Sequence, residues 1–249
     1  KYKPIKTTIM KQENWYDVDS LRNKDFAMST AFPALMRKVF VWMTLALAIT
    51  GLTAYGVATS PAILSLIFSS KVTFFGLIIA EFALVFAISG AINRLSLSTA
   101  TMLFILYSVI NGATLSSIFF AFSVATIGKV FFITAGTFGA MALVGYTTKT
   151  DLTSMGKLLF MALLGIIIAS VVNMFVGSSG LDLILSYVGV LVFVGLTAYD
   201  TQKIKQMCQT APDAGESTQK LALIGALSLY LDFINLFLYL LRIFGNNRD

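Results

Sequence analysis

"LSLYLDFINLFLYLL", Leu227–Leu241, is apolar almost throughout and carries a carboxylate, Asp232, at its centre. On a helix, Ser228, Asp232, Asn235 and Tyr239 are spaced by four, three and four residues. They therefore line up as one polar stripe. Every other side of that helix is apolar, so the segment belongs inside a bundle. Extended back to Leu221, the run is long enough to cross a hydrocarbon core of ~30 Å at ~1.5 Å per residue.

The rest of the chain repeats the pattern. It has 249 residues, of which 57% are hydrophobic and 12% charged, and its mean hydropathy is +0.83. A soluble domain carries about twice that charged fraction. Seven continuous apolar runs read as spans: Val39–Thr59, Val72–Ile92, Ser98–Phe122, Val130–Tyr146, Leu158–Val176, Leu183–Gln202 and Leu221–Leu241. A membrane barrel would show alternation over ~10 residues instead. The fold class is all-α, a polytopic membrane protein with seven transmembrane helices. Residues 1–37 read as a polar N-terminal tail and 38–249 as the transmembrane domain. The tail has no apolar core of the kind a cleavable signal peptide needs. "GLTAY" occurs at Gly51–Tyr55 and again at Gly195–Tyr199. One pentapeptide in so apolar a chain reads as coincidence rather than as an inverted repeat.

The formal charge of +6 points to orientation against a membrane rather than to nucleic acid. With the N-terminus in the cytoplasm, fourteen of the eighteen Lys and Arg residues fall on the cytoplasmic side. Lys71, Lys129, Arg242 and Arg248 fall on the other. That matches the positive-inside rule. The chain has no histidine and one cysteine, Cys208. These exclude an intrachain disulfide, a thiolate metal cluster and a serine–histidine hydrolase mechanism. No redox cofactor is expected.

The ionisable residues within the runs are Glu81, Asp200 and Asp232, all acids. An acid facing lipid costs about 2.5–3.5 kcal/mol on insertion scales, so each should face the bundle interior, water or another acid. Asp200 closes the sixth run in "GLTAYDTQKIK", Gly195–Lys205. It can pair locally with Lys203 or Lys205, or it can meet Asp232 across neighbouring helices. Two carboxylates brought together share a proton and titrate as a pair, and ionised they suit a hard cation such as Ca²⁺. Ser228, Asn235 and Tyr239 would line the same path, or hydrogen-bond helices together. Glu81 reads as a deeper ligand or relay, or as a neutral hydrogen-bonded acid. Arg94, in the following turn, could bridge the acids or simply anchor the chain on the cytoplasmic side. Asn111 and Asn173 read as interhelical glue.

"GLTAYDTQKIK" followed by "ALSLYLDFINLFLYLLRIFG" resembles the Bax-inhibitor family, the transmembrane Bax inhibitor motif proteins and their bacterial relatives. The resemblance covers the chain after about residue 35. It implies seven helices with the last one central and ringed by the other six. It also implies a pH-sensitive calcium leak gated by two aspartates, which Asp200 and Asp232 match. Glu81 matches an acid expected on the second helix. Bacterial calcium-leak members carry an arginine at the end of that helix, bonded to the pair. Here that position falls at about Ile92, and the candidate latch is Arg94, two residues on. The bacterial relatives imply an inner (cytoplasmic) membrane location.

The function expected is therefore a calcium or cation leak controlled by protonation of the Asp200–Asp232 pair, and not an enzyme. Its partners are lipid, Ca²⁺ and protons, with Ca²⁺ as a permeant or weakly held ion at the two aspartates. The second reading is a regulator that binds other membrane proteins. An intramembrane aspartyl protease ranks lower, because such enzymes carry glycine before the second aspartate and Leu231 stands there. A proton-coupled transporter would use the same acids.

Overall fold

The computed structural model describes the backbone of residues 9–210 and 215–245, and the side chains of those from residue 32 onward. Over these residues the chain folds as α1 (Ile9–Ala58), α2 (Pro61–Phe68), α3 (Lys71–Ala91), α4 (Leu97–Leu115), α5 (Ile118–Ala121), α6 (Val124–Thr147), α7 (Thr153–Val176), α8 (Ser179–Gln209) and α9 (Glu216–Phe244). Among the described residues, seven helical segments are long and apolar enough to cross a membrane. The chain is an integral, polytopic all-α membrane protein. Helices are the expected solution, because backbone groups in hydrocarbon find no water and must bond within their own segment.

Serines set several helix starts. Ser96, Ser123 and Ser178 each accept a hydrogen bond from a backbone N–H three residues on, at 3.1, 3.2 and 3.3 Å, which satisfies one of the unpaired donors of the first turn. Asp151 does the same ahead of α7, accepting from the Thr153 N–H at 2.9 Å and its hydroxyl at 2.6 Å. Those bonds hold its carboxyl below the usual carboxylate range. The α7 helix ends at Gly177 with φ of +68°, a left-handed conformation that glycine adopts without penalty.

The central helix is α9. Two-thirds of its most apolar window is buried, against 6% for α3 and for α7. Leu223, Leu229, Tyr230 and Leu236 are wholly covered. Its chief neighbours are α8, α1, α6 and α4. The ring is therefore uneven: α7 packs chiefly on α8, and α3 on α4 and α2. Both face lipid with Phe82, Phe86, Ile168 and Phe175 largely exposed.

Several boundaries differ from the sequence expectation. The first span is the second half of a longer helix that begins at Ile9 and passes through Pro33. The sixth continues to Gln209, since Lys203 and Lys205 are good helix formers that need not stop at the membrane surface. That shortens the polar connection to 210–215. The short helices α2 and α5 were not expected; α2 starts with Pro61 at its first turn, where a missing N–H does no harm.

The helix ends are tied at the two membrane faces. On one, Gln202 spans the α6–α7 turn, donating to Thr150 O and accepting from Leu152 N, both at 2.8 Å. On the same face Lys38 donates to Gln219 at 3.1 Å, and Glu216 accepts from Leu97 N at 2.9 Å. On the other, Arg242 pairs with Asp182 at 3.6 Å with both groups half exposed, a geometry that contributes little to stability.

Candidate functional site

All four members of the α9 stripe, Ser228, Asp232, Asn235 and Tyr239, line one cavity of about 740 Å³. Its other walls are α7 and α8, with Phe82 contributed by α3. The polar stripe of the central helix borders this cavity and bonds across it to α8, through Ser228 and Asp232 to Asp200. Lys157 and Lys203 stand toward one end, and Phe160, Leu163 and Ile167 form an apolar side.

Asp200 of α8 and Asp232 of α9 both line this cavity, and their carboxyl groups are in mutual hydrogen-bonding range. Ser228 is the other polar neighbour of Asp200, and Lys203 its nearest cation. Asp232 is only 5% exposed, and its Oδ2 has no hydrogen-bond partner. Lys203 also lies 6.0 Å from the Tyr199 ring centre. Asn235 donates to Leu231 O at 2.8 Å. Tyr239 stacks on Phe193 at 5.8 Å, with Arg242 5.5 Å from its ring.

Two glycines bring the acids together. A Cβ on Gly189 of α8 would lie 2.7 Å from the Tyr239 ring, and one on Gly225 of α9 would lie 3.1 Å from Ile204. They flank the pair along the α8–α9 contact and let the backbones approach, as small residues do between membrane helices. Against other faces of α8, Gly145 of α6 lies against the Ala198 backbone and Gly156 of α7, at the cavity wall, against the Tyr199 ring. The helix that carries Asp200 is thus clamped on three sides.

Glu81 is not part of this cluster. Its Oε2 accepts from Asn111 Nδ2 at 3.2 Å, and Asn111 Oδ1 accepts from the Tyr230 hydroxyl at 2.9 Å. The Thr50 hydroxyl lies 2.7 Å from that of Tyr230 and 3.0 Å from Ser108 O. This chain joins α1, α4, α9 and α3. Tyr230 precedes Asp232 by two residues, about 200° around the helix, so α9 separates the two polar groups. Asn111 is glue, as its type suggests, but glue for a carboxylate. Tyr230 sits within an apolar run and gives no sequence signal of its role.

Arg94 is exposed in the turn after α3, does not line the cavity and makes no ion pair among the described residues. Ile92, where the family's arginine would fall, is buried. Asn173 accepts from Ser178 N at 3.1 Å and finishes α7. Among the described residues no three acidic, histidine or cysteine side chains gather as a metal site. Asp200 and Asp232, with Ser228 and Asn235, are oxygen-bearing side chains of the α8–α9 wall.

The Tyr230 network yields a stability prediction. Tyr230→Phe removes the donor to Asn111 and the partner of Thr50. Interhelical hydrogen bonds in membranes are worth about 0.6–1.7 kcal/mol. The expected result is a lower melting temperature with the Asp200–Asp232 cavity unaffected, checked by thermal unfolding in detergent.

Comparison with known proteins matches residues 33–249 to the family described as "Inhibitor of apoptosis-promoting Bax1". The inner membrane protein YbhL of Escherichia coli K12 is 52% identical over 214 residues, covering 86% of this chain and 92% of the relative. An uncharacterised protein of Borreliella burgdorferi is 50% identical over the same shares. One from Rickettsia prowazekii is 45% identical over 216 residues, 86% of this chain and 90% of its own length. A family match across nearly the whole membrane domain, with relatives this similar, places the chain in the Bax-inhibitor family.

Proposed function

We propose that this protein is a pH-sensitive calcium leak of the bacterial inner membrane, with its N-terminus in the cytoplasm and with Asp200 and Asp232 as its proton-controlled gate. It carries out no covalent chemistry. The observation that carries the reading is the pair itself: two carboxyl groups from adjacent helices, in contact inside the bundle, at the wall of a cavity with polar and apolar sides.

The physics is a competition. A proton shared by the pair bonds α8 to α9. Without it, two like charges meet inside the membrane, and the pair must either part or take up a cation. Neutral oxygens of Ser228 and Asn235 can complete part of a cation's shell but cannot replace the proton. Ion ligands must be deprotonated, so acid opposes Ca²⁺ at this site. Lys203 beside Asp200 tempers the negative charge and keeps the site from holding an ion tightly. The location follows the Escherichia coli relative, which is an inner membrane protein, and the orientation follows the distribution of Lys and Arg.

Calcium flux into vesicles tests the reading. Protein-loaded vesicles should take up Ca²⁺ faster than protein-free ones, at a rate that changes between pH 5 and 8. Flux equal to that of empty vesicles at every pH would reject it.

A further inference from the structure

A second cavity has no part in the function proposed above. It is a groove of about 650 Å³ between α1 and α6, floored by Phe233 of α9. Both helices lean on α8 and α9, and a seam stays open between them. The opening has a sequence cause. Ala135, Gly139 and Ala142 of α6 present small side chains to it, and a Cβ added to Gly139 would meet nothing within 4 Å. The facing bank is Phe40, Met43 and Leu47 of α1.

Within the groove the Thr44 hydroxyl is taken up by Phe40 O at 2.8 Å, and the groove is charged at one end only. Arg37 lines that end, exposed and without an ion pair among the described residues. Across from it stands Tyr146, whose backbone carbonyl accepts from Lys205 Nζ at 2.7 Å. The same ammonium lies 5.2 Å from the Tyr146 ring. Two cations thus flank the mouth, and among the described residues no acid lines the groove. From Arg37 to Leu47 is ten residues, ~15 Å of helix, or half of a ~30 Å hydrocarbon core. A smaller cavity of about 140 Å³ shares Leu47, Phe131 and Phe233 and continues the seam.

A cationic mouth over an apolar slot one leaflet deep is the complement of one molecule type. We infer that the α1–α6 groove is a binding site for an anionic phospholipid, with one acyl chain along Met43, Leu47 and Phe131 and its phosphate-bearing head at Arg37 and Lys205. Basic pockets between membrane helices recognise anionic heads in this way. A zwitterionic lipid would fill the slot but gain less at the mouth, where each basic residue near the surface is worth about 1 kcal/mol, or ~5-fold in retention. The inference is independent of the calcium reading, since no residue of the aspartate cavity lines this groove.

The test is lipid retention. The full chain is purified in detergent, exposed to equal phosphatidylglycerol and phosphatidylcholine of identical chains, and weighed intact by native mass spectrometry. Wild type should retain phosphatidylglycerol ~5-fold or more over phosphatidylcholine. Arg37→Gln should reduce that preference about five-fold, and Arg37→Lys should largely keep it. Gly139→Leu, which fills the slot, should lower retention of both lipids while its melting temperature stays near that of wild type. Equal retention of the two lipids by wild type would overturn the inference. So would an unchanged preference in Arg37→Gln, or a second copy of the chain cross-linked through Gly139→Cys in place of lipid.

Discussion

Replacing Gly145 with valine is expected to leave little folded protein to purify. Gly145 lies in α6 where α8 passes, and a Cβ there would fall on the carbonyl and Cα of Ala198. The obstacle is backbone inside a helix, so no rotamer change relieves it. Either α6 or α8 must move as a unit, against contacts α8 also makes with α7 and α9. Overpacking a buried contact ordinarily costs about 1–3 kcal/mol, occasionally more, and this geometry belongs at or above the top of that range. Size-exclusion profiles and thermal unfolding in detergent read the effect. Gly139→Ala on the same helix is the control, because its Cβ meets open space; it should behave as wild type. Ala198 is two residues before Asp200, so Gly145→Ala, if it folds, also reports on the site. A displaced α8 moves one carboxylate away from the other.

Asp232→Asn should abolish most of the pH response of calcium flux between pH 5 and 8 while leaving the protein folded. Asparagine keeps the size and hydrogen-bonding capacity of the side chain but cannot titrate or carry charge. A coupling of one pKa unit is worth 1.36 kcal/mol, a factor of about ten in the closed-to-open ratio. That factor should be lost in Asp232→Asn and in Asp200→Asn alike, because the proton belongs to the pair. Glu81→Gln touches the separate Tyr230–Asn111 chain and should leave the pH response in place while changing stability. A loss of pH response in Glu81→Gln alone would move the gate to the other side of α9.

Much of this was legible in the chain. The seven runs came from length and apolarity alone, because in lipid those two properties decide whether a helix spans. The Ser228–Asp232–Asn235–Tyr239 stripe was readable from helical spacing. What spacing could not tell was whether the stripe met another helix or open space. That depended on α7 packing chiefly against α8 and α3 against α4, a matter of tertiary contact. The central place of α9 came through resemblance, and its burial bears it out. The uneven ring around it had no signal in sequence. Tyr230 and Thr50 escaped notice for a simple reason: a tyrosine or threonine in an apolar run looks the same whether its hydroxyl finds lipid headgroups or a buried asparagine. Arg94 read either as a bridge to the acids or as a cytoplasmic anchor, with the family's arginine position falling two residues earlier, at Ile92. The structure leaves that side chain exposed in the turn after α3 and buries Ile92 in the expected position.

The central claim is that proton and calcium compete at one pair of carboxyl groups, and the direct measurement is proton release on calcium addition. The purified protein, in weakly buffered detergent solution at set values from pH 5 to 8, is titrated with Ca²⁺ while released protons are counted. Wild type should release protons in proportion to calcium taken up, and both Asp200→Asn and Asp232→Asn should release almost none. Proton release of the same size in those two variants would contradict the account.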